Sequence, residues 1–204
     1  MTPRKERADA VRNREAVLAA ADDLFARSES PGSVSMDDVA AAAGVGKGTL
    51  FRRFGDRTGL IRVLVEARLE RLRQAVDEGP APLGPTAEPR ERVLALLDAV
   101  LQFKLDNRRL SLALEEAGSG SPYQADHYTW WHSTLEHTLR QLPGFSDSAV
   151  AGRGSAIADS GFAAHVLLAA TRADLVEHLA GEEQMSRERM RAHLAAFAAR
   201  VLHQ

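Results

Sequence analysis

Residues 35–57 read SMDDVAAAAGVGKGTLFRRFGDR and predict two short helices joined by a tight turn. Ser35 is placed to cap the first helix through its hydroxyl group, and two aspartates follow in the first turn, where backbone N–H groups are unpaired. Val34 and Val39 have the spacing of a hydrophobic staple, which fixes the angle at which the chain enters a helix. The sequence therefore predicts a helix that begins directly after Ser35.

A glycine turn and a second helix complete this pattern. Four consecutive alanines have high helix propensity and little bulk, and Gly44 follows them to supply the left-handed conformation that ends the helix. We expect Val45 to lie in the core of the turn. A second helix is predicted from about Gly46 to Phe54, with Leu50 and Phe54 on its inner face at a spacing of four.

The second helix directs its polar and basic side chains away from that inner face. In a helix-turn-helix, such a helix contacts base edges in the major groove and nearby phosphates. An ordinary helical hairpin with a solvated basic end is the alternative. The staple, the cap, the turn and the basic second helix nevertheless agree within 23 residues. We therefore predict a DNA-binding helix-turn-helix over about residues 35–54.

The segment 41–60, AAAGVGKGTLFRRFGDRTGL, resembles the signature of the tetracycline-repressor-like (TetR-type) transcriptional regulators. The resemblance is specific between about Arg12 and Leu64, and beyond that only length and helical pattern fit. It implies a three-helix DNA-binding domain at residues 1–57 and an all-helical ligand-binding and dimerisation domain at residues 58–204. Regulators of this type bind a palindromic operator as dimers, and we expect a repressor that a small-molecule ligand releases.

The resemblance also assigns roles to individual residues. Lys47–Thr49 match positions that reach base edges or nearby phosphates, and Phe51, Arg53 and Arg57 match positions that hold the DNA backbone. Phe51 stands where a tyrosine is usual, so a hydroxyl-to-phosphate hydrogen bond is lost, whereas Arg57 replaces a lysine and keeps the charge. The predicted DNA-binding residues are Ser35, Lys47, Gly48, Thr49, Phe51, Arg52, Arg53 and Arg57.

The distribution of charge supports a nucleic-acid partner for the N-terminal part. The whole chain has a formal net charge of −2, but residues 1–62 carry 11 basic and 9 acidic side chains, and residues 63–204 carry 15 and 19. Between Thr49 and Arg62, four arginines are accompanied by a single acidic residue, Asp56. The basic residues among the first fourteen positions are expected to form a frayed, solvated end.

The rest of the chain reads as helices. Apolar stripes at helical spacing predict a first helix over about Arg12–Arg27 and a fourth helix from about Asp56 through Val76. The segment Gly79–Pro89 is too rich in proline and glycine to be helical. Further helices are predicted at about 93–105, 108–117, 122–142, 157–180 and 187–203. With no strand pattern, the predicted fold class is all-α, about nine helices, with an N-terminal three-helix helix-turn-helix domain and a C-terminal helical bundle.

Two features of the second part concern partners. The last two predicted helices hold more small residues than a single core requires, and the resemblance implies that they pair with those of a second subunit as a four-helix homodimer interface. Such a dimer presents two recognition helices roughly one DNA turn, or a multiple of one turn, apart. Aromatic side chains with polar tips also favour a pocket for an unidentified small apolar or aromatic effector, although filling of the bundle core is the alternative. Its predicted lining is Phe103, Tyr123, Tyr128, Trp131, Phe162 and His165.

Other classes of protein fit poorly. The chain has no cysteine, no signal-peptide pattern and no apolar run of about 18 residues, so we expect a cytoplasmic protein without disulfides or membrane contact. The GVGKGT segment at residues 44–49 resembles a phosphate-binding loop but lacks that loop's first glycine and its Ser/Thr. His127, His132 and His137 are spaced by five along one predicted helix, so they cannot converge on one metal ion. We expect no enzyme, no catalytic residue, no metal site and no cofactor. A helical ligand-binding or protein-interaction module without DNA-binding function stays the alternative.

Overall fold

The computed structural model describes residues 3–28, 31–116, 123, 125–146 and 158–203. Within those ranges the chain is almost entirely helical, as the sequence predicts. The α-helices are α1 Pro3–Arg27, α2 Met36–Ala43, α3 Lys47–Phe54, α4 Arg57–Asp77, α5 Pro89–Asp106, α6 Arg108–Glu116, α7 Asp126–Leu139, α8 Ser160–Ala169, α9 Ala173–Glu177 and α10 Arg187–Val201. A 3-10 turn spans Pro31–Ser33, and a π-helix over His178–Glu182 continues directly from α9.

The helices form two compact units. The first contains the described residues up to Arg68 together with residues 109–116 of α6, and the second contains residues 69–108 and the described residues from Tyr123 onward. In the first unit α1 packs on α2, and α2 packs on α3. The α1 side chains Val17, Ala21 and Phe25 are buried at successive spacings of four, as the apolar stripe predicts.

The second unit is built around α5. This helix packs against α7, α9 and α10, and α7 packs against α8. The buried apolar side chains of α5 span about half of its circumference, because the helix packs against neighbours on more than one side. They are Val93, Leu96, Leu97, Val100, Leu101 and Leu105. None of the described helices is long and apolar enough to cross a membrane.

A buried arginine holds the entry to α5. Glu88 caps the helix, its carboxylate accepting a hydrogen bond from the Glu91 backbone N–H at 3.0 Å. One turn into the helix, Arg92 is only 6% exposed. Its Nε donates to the Leu83 carbonyl and its Nη2 to the Val76 carbonyl, both at 3.0 Å. Arg92 therefore joins the end of α4, the proline-rich connection and α5.

The predicted helix over 157–180 is interrupted in the structure. Its predicted start, Ile157, lies outside the described residues, and α8 ends at Ala169 before α9 begins at Ala173. Thr171 is buried between them, and its hydroxyl donates to the Leu168 carbonyl at 2.8 Å. Threonine side chains compete in this way with the regular helical ladder, and an apolar stripe does not reveal it.

Smaller differences affect the ends of elements. Helix α1 begins at Pro3, well before the predicted Arg12, so the expected frayed end is helical in the structure. A good helix-forming run without an apolar face is invisible to periodicity. The predicted helix ends Ala117 and Pro122 lie outside the described residues. A two-residue parallel pair, Phe145–Ser146 with Ala158–Asp159, is the short extended pairing that the sequence did not predict.

Candidate nucleic-acid interface

Helix α2 begins with a reciprocal cap. The Ser35 hydroxyl accepts from the Asp38 backbone N–H at 3.2 Å, and Asp38 Oδ2 accepts from the Ser35 backbone N–H at 3.0 Å. These bonds from Ser35 lower the pKa of Asp38, first through the side chain and then through the backbone. The predicted Ser35 cap is thus present, and the Ser-x-x-Asp spacing extends it to a capping box, in which the reciprocal bond from Asp38 was not predicted.

A glycine in the left-handed conformation sets the turn between the helices. Gly44 has φ 63° and ψ 31°, a conformation that side chains other than glycine rarely adopt. The Gly44 N–H donates to the Ala41 carbonyl and the Val45 N–H to the Ala40 carbonyl, at 3.2 and 3.1 Å. Val45 is half-buried, so it covers the turn instead of lying fully in its core as we expected.

Helix α3 buries one side and exposes the other. Leu50 and Phe54 are buried at the predicted spacing of four. The remaining predicted side chains of this helix form an exposed surface, which we call the α3 outer face. It consists of Lys47, Gly48, Thr49, Phe51, Arg52 and Arg53. Phe51 is 45% exposed although it is a large apolar residue, so its ring is available to another molecule.

The fold of the protein does not require a glycine at position 48. A Cβ atom built on it would have no neighbour within 4 Å, and its φ lies outside the region that favours glycine. Glycine near the start of a helix costs stability relative to alanine. The absence of a side chain at Gly48 is therefore explained better by another molecule that approaches the α3 outer face closely than by the fold.

Arg57 differs from the other predicted DNA-binding residues. It is half-buried at the start of α4, and its Nε donates to the Val34 carbonyl at 2.8 Å. Its guanidinium also lies over the Phe25 ring, 5.4 Å from the ring centre. Arg57 therefore ties α1, the entry to α2 and α4 together, while Ser35 is exposed at the beginning of α2.

Four ring side chains of the second unit form a cluster, which we call the Tyr–His cluster. Tyr128 Oη lies 2.6 Å from His165 Nδ1, and the His132 and His165 rings are 4.0 Å apart between centres. Tyr123 meets the Tyr128 ring edge-on at 5.1 Å. Burial lowers the pKa of His165, and so does the neighbouring His132, whereas Glu136 and Asp159 raise it. The Nδ1 atom of a neutral His165 can accept a hydrogen bond from the Tyr128 hydroxyl group.

The other predicted pocket residues lie apart from that cluster. Trp131 is buried in α7, and Phe103 is half-buried in α5. Phe162 is 69% exposed on α8. Trp130 is half-buried, and its ring lies beneath the Arg73 guanidinium, 5.1 Å from the ring centre. The structure thus brings together Tyr123, Tyr128 and His165 and adds His132.

A separate apolar cavity of about 230 Å³ lies between α5 and α10. Methionine and leucine side chains form most of its lining, which also includes the imidazole of His193. The predicted aromatic residues do not contribute to it. Its lining consists of Leu101, Ala170, Val176, Leu179, Met185, Met190, His193, Leu194 and Phe197.

The sequence of the helix-turn-helix segment is similar to that of known regulatory proteins. Residues 17–64 match the family model described as bacterial regulatory proteins, tetR family. A helix-turn-helix transcriptional regulator of Staphylococcus aureus (strain bovine RF122 / ET3-1) is 32% identical over 128 residues, which is 60% of this chain and 64% of that protein. The chain spans less than two thirds of the first curated relatives that it matches.

Two solved structures resemble the whole fold. A Rhodococcus sp. protein described as a TetR-family transcriptional regulator is 25% identical, with a TM-score of 0.65 over 94% of this chain and 99% of that one. LfrR from Mycobacterium smegmatis, a TetR-like regulator solved with proflavine, is 24% identical, with a TM-score of 0.53 over 94% and 96%. The matched segment, residues 17–64, contains the capping box, the Gly44 turn and the exposed α3 outer face, and this segment belongs to the tetR family of bacterial regulatory proteins.

Proposed function

We propose that the protein is a DNA-binding transcriptional regulator, a repressor that binds a palindromic operator as a homodimer. The α3 outer face is the observation that carries this proposal. It presents a lysine, two arginines, a threonine, an exposed phenylalanine and a bare glycine backbone on one short helix. These groups supply phosphate charge neutralisation, base-edge hydrogen bonding and close approach.

Exposed apolar side chains in the second unit support the homodimer. Phe162 and Val166 lie one turn apart on α8 and are 69% and 38% exposed, and Phe197 on α10 is 43% exposed. Large apolar side chains exposed together mark protein interfaces. We place the subunit interface on α8 and α10, the last two long helices, so that four helices pack around a two-fold axis.

Release by a small-molecule ligand is part of the same proposal. The division into a DNA-binding domain at residues 1–57 and a ligand-binding and dimerisation domain at residues 58–204 assigns the ligand to the second. The predicted residues Tyr123, Tyr128 and His165 offer ring faces and two polar tips to an aromatic or apolar molecule. LfrR, which shares the fold, was solved with such a molecule, proflavine.

Catalysis has no place in this proposal. The family consists of transcriptional regulators, and binding, not chemistry, is the task that the α3 outer face fits. We place the protein in the cytoplasm, because bacterial chromosomal DNA lies there. The comparisons favour this reading over a helical module without DNA-binding function.

A pair of arginine substitutions tests the proposal. Arg53→Ala removes an exposed charge from the α3 outer face, so we expect affinity for every duplex to fall roughly fivefold to tenfold at 0.1 M salt. The slope of log affinity against log salt should decrease by about 1. Fluorescence anisotropy with labelled duplex at several salt concentrations measures both quantities. Parent and variant with equal slopes would place Arg53 away from the DNA backbone.

Arg57→Ala is the matched comparison, because this arginine is half-buried and contacts Val34 and Phe25. Loss of the hydrogen bond to Val34 and of the contact with Phe25 should lower the free energy of unfolding by about 1–2 kcal/mol. Arg53→Ala should leave it within about 0.5 kcal/mol. Chemical denaturation followed by circular dichroism distinguishes the two variants. Equal stability of both would show that Arg57 has no structural role.

Gly48→Ala should change stability and DNA binding in opposite directions. Alanine is the better helix former and meets no neighbour, so we expect a gain of about 0.5 kcal/mol in the free energy of unfolding. The added methyl group would hinder close approach of the duplex, and affinity should fall roughly tenfold or more. Unchanged affinity in the same anisotropy titration would place Gly48 off the interface.

A further inference from the structure

An acidic residue lies directly beside the first basic side chain of α3. Asp37 is the second residue of α2, and Lys47 is the first residue of α3. The turn at Gly44 folds α3 back so that Lys47 Nζ lies 2.5 Å from Asp37 Oδ2. Both side chains are mostly solvent-accessible, at 65% for Lys47 and 58% for Asp37. An aspartate thus accompanies the α3 outer face at its N-terminal edge.

The fold itself does not account for this aspartate. Asp38, the next residue, completes the capping box with Ser35 through both its backbone and its side chain. Asp37 is outside the capping box, and its carboxylate is engaged by Lys47. A negative charge in the first turn of a helix is mildly favourable, but Asp38 already supplies one. A second carboxylate at an edge that approaches phosphates would repel them.

We propose that Asp37 is a positioning residue that directs Lys47 toward base edges and away from phosphates. This inference rests on the proposed DNA-binding function. An ammonium group has three donors, so Lys47 can keep its bond to Asp37 and still donate to an acceptor such as guanine O6 or N7. A phosphate contact made while Lys47 stays bonded to Asp37 would bring phosphate oxygens near the carboxylate, whose charge repels them, whereas a neutral base edge is not repelled. Asp37 thereby weakens sequence-independent binding more than sequence-dependent binding.

The Asp37–Lys47 ion pair is weak enough for Lys47 to change partners when DNA binds. Exposed ion pairs are weak, so the Lys47 side chain exchanges partners easily when no other contact holds it. The competition between Asp37 and phosphate is therefore decided by salt concentration and by the bases in the groove. Replacing Asp37 with asparagine removes the charge and keeps the shape and one hydrogen-bond acceptor.

The test compares Asp37→Asn in the full chain on two duplexes, one of random sequence and one selected from a random pool by the parent protein. We expect affinity for the random duplex to rise fivefold to tenfold at 0.1 M salt. The magnitude of its log-log salt slope should increase by about 1, because Lys47 then neutralises one more phosphate. Affinity for the selected duplex should rise less than threefold, so the ratio between the two affinities falls.

A double-mutant cycle shows whether Asp37 acts through Lys47. In a Lys47→Ala background, Asp37→Asn should change affinity for the random duplex less than twofold. An equal gain with and without Lys47 would overturn the positioning role, since Asp37 would then act as a simple negative charge. If the parent binds duplex and the Asp37→Asn variant has the same salt slope and the same ratio of affinities, this inference alone is overturned. A parent that ignores all duplex at low salt would overturn the proposed function as well.

Discussion

Replacing Arg92 with methionine is expected to lower the free energy of unfolding by about 2–4 kcal/mol, or the melting temperature by roughly 10 °C. The guanidinium is buried and donates to the carbonyl groups of Leu83 and Val76. Burial lowers the pKa of Arg92, while Asp77 opposes that shift. Methionine fills similar space but leaves two carbonyl groups without a donor, and this cost exceeds the relief from no longer burying a charge.

The matched control for that experiment is Arg71→Met, because Arg71 is an exposed arginine on α4. We expect its free energy of unfolding to stay within about 0.5 kcal/mol of the parent. Thermal and denaturant unfolding of both variants, followed by circular dichroism, gives the comparison. If Arg92→Met unfolds at the same denaturant concentration as Arg71→Met, the two hydrogen bonds do not secure the connection between α4 and α5.

Placing aspartate at both Phe162 and Val166 is expected to weaken subunit association on the order of 1000-fold. Both side chains project from α8 with large exposed fractions, and a two-fold interface contains each substitution twice. Carboxylates there would have to lose their hydration when a second chain packs on them. Analytical ultracentrifugation across a range of concentrations measures the dissociation constant. We expect affinity for a selected operator duplex to fall in parallel.

Val11→Asp provides a control of similar chemistry elsewhere on the chain. Val11 is also an exposed apolar residue, at 53%, but it belongs to α1 in the first unit. We expect this variant to self-associate like the parent. A Phe162 and Val166 double variant with the parent's sedimentation behaviour would show that α8 lies outside the subunit interface, whatever the DNA affinity of the variant.

The helix-turn-helix was predictable because its determinants are local. Ser35, Gly44 and the spacing of Leu50 and Phe54 each act within a few residues along the chain, through capping, left-handed backbone and helical periodicity. The structure confirms the cap, the turn and the buried pair. All-α character was likewise readable from apolar periodicity.

Features that depend on distant parts of the chain could not be predicted. The place of Arg57 is set by a carbonyl 23 positions earlier and by a ring on α1, and sequence spacing shows neither. The break at Thr171 depends on a side-chain hydrogen bond and on burial, not on a glycine or proline. Proximity of Tyr128 and His165 depends on how α7 and α8 pack. The DNA-binding and ligand residues themselves stay predictions.

In the proposed homodimer, the interruption at Thr171 also limits how the two chains can align. Helix α8 has ten residues, and at 1.5 Å per residue it is about 15 Å long. Sliding one such short apolar strip past another by a single turn would uncover about a third of it. A shift of one turn therefore loses a larger fraction of the contact between two α8 helices than between two unbroken helices of twice the length. The short helix thus favours a single alignment more strongly.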